Sequence, residues 1–364
     1  MENTKAELTR VFSTTLRGLG VSLLALGIAL TATLLSAQPT ARPADVVGLA
    51  LVGHHVADLE RAIKFYQAID FKVVEGPTAW AVDKDLNKLG NTPGAESRTA
   101  VMQVQSSVSD IPFIFILRQY RGIPRQDWTN VNSWDLGANH IDLTVDGSAS
   151  DFLDKLEAQK LLKMPEVQGL ANPRQQAGFR RYSFIQDPDG LVIENLARAI
   201  PKPGDPPVKP GVSDSSATSG NIERLGKQAG FNHYAVNVVD GEKGRDFYAN
   251  VLGGDFPKFA DTGAKAIMQN GWWPQPKTDK NLRIELGLFT INKGKTPSPV
   301  KLQDINANYA GIQVSNIETA YARAKANGAI TVTQGGIMNY NKGKAVMIRD
   351  ADVGGYIMLW QPAK

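Results

Sequence analysis

Asn232-His233-Tyr234-Ala235-Val236-Asn237-Val238-Val239-Asp240 runs into Asp246-Phe247-Tyr248 and then Val251-Leu252-Gly253-Gly254. Alternating side chains make the first stretch a strand, and the run behind it reads as a helix that buries Phe247-Tyr248. The same spelling stands earlier in the chain. Leu51 leads to Val56-Ala57-Asp58, then Ala62-Ile63-Lys64-Phe65-Tyr66, then Phe71-Lys72-Val73-Val74. Asp to Phe is the same distance in both, 58 to 65 and 240 to 247. A repeated unit of this size governs the architecture more than any single segment does.

Two further copies keep strand and helix but lack Phe-Tyr. His140-Ile141-Asp142-Leu143-Thr144-Val145 precedes Phe152-Leu153-Asp154-Lys155-Leu156, and Tyr309 to Val314 precedes Ala320-Tyr321-Ala322-Arg323-Ala324. Each closes on an Asp-rich turn and an apolar strand: Asp187-Pro188-Asp189-Gly190 before Leu191 to Leu196, and Asp350 to Gly355 before Tyr356 to Trp360. Pro and Gly set such turns. Between the second and third copies, Pro201 to Ser219 is dense in Pro, Gly and Ser and reads as part of a linker over residues 200–229. It separates a first domain, residues 46–199, from a second, residues 230–364.

The chain has 364 residues, 42% hydrophobic and 21% charged, which suits two globular domains. A net charge of +4, with both signs scattered, gives nucleic acid no basic stripe to bind. With no cysteine, disulfides, thiolate ligands and cysteine nucleophiles are excluded. At the N-terminus, Lys5, Arg10 and Arg17 precede an uncharged run from Leu19 to Leu35, and Ser36-Ala37 offers small residues for cleavage. Residues 1–37 therefore read as a secretory signal peptide, or as an uncleaved anchor. Either predicts an exported protein, periplasmic or extracellular, with no other membrane segment.

A strand opening on His, Val-x-Asp, Phe-Tyr, Leu-Gly and a closing Asp-Pro-Asp-Gly-x-x-x-Glu together resemble the vicinal oxygen chelate superfamily. That family includes glyoxalase I, bleomycin-resistance proteins and extradiol dioxygenases. The resemblance runs from Val47 to Pro362. It implies an α+β fold of tandem βαβββ modules, four in all, paired into two cup-shaped sheets. It also implies a divalent metal (Zn, Ni, Mn, Co or Fe) on the first and last strands of the modules, with a small oxygenated molecule as substrate.

On the family's pattern, the first ligand position is held by Leu51, His140, His233 and Tyr309 in modules one to four. The second is Glu194 in module two, Glu285 in module three and Met358 in module four. In module one it falls in Phe113 to Arg118, which contains no acid. If modules two and three share a cup, as in four-module glyoxalase I enzymes, His140, Glu194, His233 and Glu285 form one ligand set. Glu194 is then, by family analogy, the catalytic base. If modules pair within each half, the alternative set is His55, His140 and Glu194, a 2-His-1-carboxylate triad. That set requires a bulged strand, because His55 lies four residues beyond Leu51, roughly 13 Å along the strand.

Asp142, two residues from His140, shares its face and is a candidate to orient a ligand or a substrate hydroxyl. Trp273, in Trp272-Trp273-Pro274, is a candidate to close over an apolar substrate. Arg283 could simply pair with Glu285, and His54-His55 reads as a polar strand end. Arg174, Arg180 and Arg181 could bind a carboxylate or phosphate. Two kinds of function fit. One is a metal-dependent lyase, isomerase or dioxygenase acting on something other than cytosolic glutathione. The other is a metal-free binding protein that sequesters a flat ligand, as bleomycin-resistance proteins do.

Overall fold

The aspartates that recur at the end of the repeated strands are helix caps. In the computed structural model, which describes residues 42–130, 132, 134–136, 140–165, 182–198, 226–259, 264 and 266–363, Asp58 accepts the Arg61 backbone N–H at 2.9 Å. Asp240 accepts from Lys243 at 3.1 Å. Ser148 and Asp151 form a reciprocal capping box, and Asn316 caps the last helix at 3.0 Å. Each cap satisfies an N–H that the first helical turn leaves without a partner, which contributes about 1 kcal/mol.

The first module is β1 (Val46–His55), α1 (Leu59–Ala68), β2 (Lys72–Glu75), α2 (Lys84–Gly90), β3 (Glu96–Val104) and β4 (Phe113–Arg121). The second is β5 (His140–Val145), α3 (Ala149–Ala158), β6 (Tyr182–Gln186) and β7 (Val192–Ala197). The third is β8 (Gly230–Val238), α4 (Gly241–Asp246) running into a π-turn (Phe247–Val251), β9 (Ala266–Pro274) and β10 (Asn281–Phe289). The fourth is β11 (Asn308–Val314), α5 (Ile317–Ala326), β12 (Ile330–Thr331), β13 (Met338–Tyr340), β14 (Gly343–Arg349) and β15 (Tyr356–Pro362). No helix among the described residues is long and apolar enough to cross a membrane. Residues 1–37 and Arg174, Arg180 and Arg181 lie outside the described residues.

Two sheets result. Six strands run in the order β6-β7-β5-β8-β10-β9, so modules two and three share one sheet. The other has nine strands, β12-β14-β15-β11-β1-β4-β3-β2 with β13 against β14, and joins modules one and four. Each sheet therefore draws on both halves of the chain. At each centre two module-opening strands run antiparallel, β5 with β8 and β1 with β11, and a closing strand lies parallel on either side.

Side chains alternate between two environments, as a pleated strand requires. Val52, Val346, Ile348 and Leu359 enter the main core with Phe65, Tyr66 and the buried faces of the other helices. Their neighbours Leu51, Met347 and Met358 point the other way, into a second apolar cluster with Tyr309 and Tyr356. Phe113 and Phe231 stack with ring centroids 3.6 Å apart, which joins the cores of the two sheets. Phe65 and Tyr66 are fully buried, and each such ring removed from water contributes about 2–3 kcal/mol.

The Asp-Pro-Asp-Gly turn is more than punctuation. Asp187 Oδ1 accepts from the backbone of Asp189 at 2.9 Å and of Leu191 at 2.8 Å. Its other oxygen meets His54 Nε2 at 2.9 Å and accepts from the Tyr66 hydroxyl at 3.0 Å. Burial works against a charge there, but His54 and the surrounding donors hold the carboxyl below its usual range. Asp189 accepts from Ala57 N–H at 2.9 Å and from Arg61 at 2.7 Å. Module one thus grips the turn that launches β7, the strand that carries Glu194.

Candidate metal centre

His140 on β5, Glu194 on β7, His233 on β8 and Glu285 on β10 sit on four adjacent strands. Adjacent strands are about 4.8 Å apart, so side chains on four flat strands would spread over roughly 14 Å. Here one donor atom from each lies within 4.8 Å of all the others, because the sheet curls around them. His140 Nε2 is 3.2 Å from His233 Nε2, 3.6 Å from Glu194 and 3.7 Å from Glu285. His233 Nε2 is 3.4 Å from Glu194. Bonds of about 2.1 Å to one ion put neighbouring octahedral donors about 3 Å apart and opposed ones about 4.2 Å apart. The cluster has those dimensions.

The chemistry of the donors fits as well. All four residues are buried. Burial, and then the charges of Arg283 and His140, push the His233 pKa well down, so the imidazole is neutral and keeps a lone pair to give. Two nitrogens and two carboxylate oxygens suit a borderline or hard divalent cation.

Asp142 stands in the same concavity, fully buried, with Oδ1 3.5 Å from His233 Nδ1. Burial first, then the nearby Glu194 and Glu285 charges, raise its carboxyl well above the usual range, against the pull of Arg283. The bulge where β5 pairs with β8, between Asp142 and Leu143, aims the neighbouring side chains. Arg283, read from sequence only as a partner for Glu285, reaches into the set itself. Its Nε donates to His233 Nδ1 at 3.0 Å. Alternation was the available signal, since Arg283 lies two residues before Glu285 on one strand face.

The alternative triad is not brought together. His55 belongs to β1, in the other sheet from His140 and Glu194, where Nδ1 contacts the Leu302 carbonyl and the ring packs edge-on to Tyr120 and Tyr309. The bulged strand it required would have to carry His55 from one sheet to the other. Trp273 does not close over a ligand either. It is fully buried in the core, with Nε1 donating to the Leu252 carbonyl at 3.1 Å. Trp272-Trp273-Pro274 is the end of β9 rather than a loop, and strand alternation turns Trp273 inward.

The nine-stranded sheet holds the corresponding positions without ligands. By register, Leu51, Ile116, Tyr309 and Met358 stand where the six-stranded sheet has His233, Glu285, His140 and Glu194. An apolar cluster surrounds them, together with the buried His55 ring and Arg118, a buried guanidinium that donates to Thr99 Oγ1 at 3.2 Å and lies among Tyr120, Tyr309 and Tyr340.

Residues 48–195 match the family model described as Glyoxalase/Bleomycin resistance protein/Dioxygenase superfamily. The crystal structure of glyoxalase I from Zea mays superposes with a TM-score of 0.53 at 17% identity, over 86% of this chain and 92% of that one. A 2,2',3-trihydroxybiphenyl 1,2-dioxygenase from Sphingomonas wittichii strain RW1 aligns at 14% identity with a TM-score of 0.24, over 88% of this chain and 91% of that one. No curated protein sequence matches the chain.

Proposed function

We propose, for a chain that belongs to the glyoxalase/bleomycin resistance protein/dioxygenase superfamily, that it is a metal-dependent enzyme of the lyase or isomerase kind acting on a small oxygenated molecule outside the cytoplasm. One observation carries the reading: two imidazoles and two carboxylates from four strands converge within 4.8 Å. The second carboxylate favours this chemistry over that of a 2-His-1-carboxylate dioxygenase. The uncharged run from Leu19 to Leu35 behind basic residues supports export.

His140, Glu194, His233 and Glu285 would hold the divalent ion, which would supply Lewis-acid polarisation of a substrate carbonyl and so acidify the adjacent C–H. Glu194 is the base that accepts that proton on a carboxylate oxygen. Its side chain is 11% exposed, against none for His233, so it is the more open of the two to an incoming molecule. Glu285 and the imidazoles keep the set in place. All four residues are buried, so charge interactions among them are less screened than in water.

The apolar concavity around Leu51, Tyr309 and Met358 favours a second reading, a metal-free binding protein. Elemental analysis of protein purified under metal-replete conditions separates the two. The enzyme predicts about one divalent ion per chain, lost in His140→Ala. Wild type free of metal would leave the binding protein as the reading.

A further inference from the structure

Strand pairing in the six-stranded sheet sets one row of side chains on the face that carries the donors. Phe184, Glu194, Asp142, His233, Arg283 and Trp272 each stand opposite the next on the neighbouring strand. Paired residues project from the same face, so the row runs from β6 at one edge, through the metal centre, to β9 at the other. The next row also reaches β9, where Asn270 is opposite Glu285. Trp272 thus lies one strand from Arg283 and two from His233, on the open side of a strand whose Trp273 faces the core.

Two features of this flank point to a ligand. Trp272 is 36% exposed, the one exposed aromatic side chain among the described residues, and Met268 on the same face is 43% exposed. An indole left in water beside buried donors is stabilised when a flat apolar group covers it. Asn270 Oδ1, between these two side chains on β9, is buried without a hydrogen-bond partner. An acceptor held out of water costs about 1–3 kcal/mol until a donor reaches it. The opposite flank supplies Phe184, edge-on to His140 with ring centroids 6.2 Å apart. We infer that Trp272 is a specificity-determining residue: it receives a flat apolar group joined to the substrate's chelating oxygens, while Asn270 Oδ1 accepts from an N–H or O–H beside them. This rests on the metal-dependent reading above and names the substrate class for that site.

The test uses the full chain, titrated with Zn2+ and then, metal-loaded, with benzohydroxamate and with acetohydroxamate. Both probes present two adjacent oxygens and an N–H, and they differ only in phenyl against methyl. Wild type favours benzohydroxamate, and Trp272→Ala lowers that preference about tenfold at unchanged Zn2+ affinity. Trp272→Phe keeps a ring and retains most of the preference. Asn270→Ala weakens both probes alike, again about tenfold. A merely structural role for Trp272 would weaken both probes equally in the alanine variant, and that result overturns the inference. So does an unchanged preference there, or an Asn270→Ala variant that binds both probes as wild type does. Wild type that takes up no Zn2+ sinks the metal-dependent reading and this inference with it, which the first titration reveals before either hydroxamate is added.

Discussion

Asp142 shows how much one buried side chain can do without touching the ion. Its carboxyl stands beside the ligand His233, with Oδ1 3.5 Å from Nδ1. Groups that orient a metal-ligating imidazole in this way typically govern metal affinity by 10–100-fold. Asp142→Asn is therefore expected to weaken metal binding by roughly that factor while the fold survives, as a calorimetric titration beside a circular dichroism spectrum would show. Gly53 makes the corresponding point in the other concavity. A Cβ there would lie 2.0 Å from the Tyr309 ring, so Gly53→Ala should lower unfolding stability by about 1–3 kcal/mol in a denaturant titration. Both residues sit two positions from a first-ligand position, Asp142 after His140 and Gly53 after Leu51. The family's pattern marked the first-ligand positions and Asp142, but not Gly53. It did not reveal that one concavity is polar and the other filled, because that depends on what faces each residue across the sheet.

At the level of elements, caps and turns do measurable work. Asp58→Ala removes the acceptor for Arg61 N–H and should cost about 1 kcal/mol in chemical denaturation. The turn before β15 carries a pH dependence. Asp350 is buried beside Tyr248, and burial pushes its carboxyl from 3.8 up to about 6. A raised carboxyl favours the folded state when protonated. Its contribution is full below pH of about 4 and is lost as pH rises through about 6. Asp350→Asn carries no such charge, so between pH 4 and 7 the variant should gain up to about 3 kcal/mol relative to wild type. A gap between the two that stays flat with pH would refute this. The equivalent turn at Asp187 behaves oppositely, because His54 stands 2.9 Å away and balances its charge. The turn residues were legible in the sequence. Their pKa values were not, since His54 and Asp187 meet across more than a hundred positions of chain.

For the whole molecule, the decisive fact is that each sheet takes modules from both halves. His140 and Glu194 come from the first half, and His233 and Glu285 from the second. A fragment of residues 42–199 holds only half of the donors, and in it β1 and β5 lack the strands they pair with, β11 and β8. Each half expressed alone should therefore bind a divalent ion at least about a hundredfold more weakly than the full chain, the two missing ligands contributing more than about 1.4 kcal/mol each. Mixing the halves should restore the affinity. Equal affinity in one isolated half would mean that the ion sits elsewhere.

Residue order alone was enough to read four strand–helix units, the buried Phe-Tyr pairs of two of them and the Asp-rich turns, and the family resemblance then marked His140, Glu194, His233 and Glu285 as candidate ligands. The units and turns follow from periodicity and spacing over short stretches, where local geometry dominates; the ligand positions follow from the resemblance. Tertiary structure alone decided that β5 pairs with β8 and β1 with β11, that His55 belongs to the other sheet, that Trp273 packs in the core, and that Arg283 enters the donor set. Either pairing of modules satisfies the same local pattern of alternation. The choice is made by burial and hydrogen bonding between segments far apart in the chain, which no local pattern records.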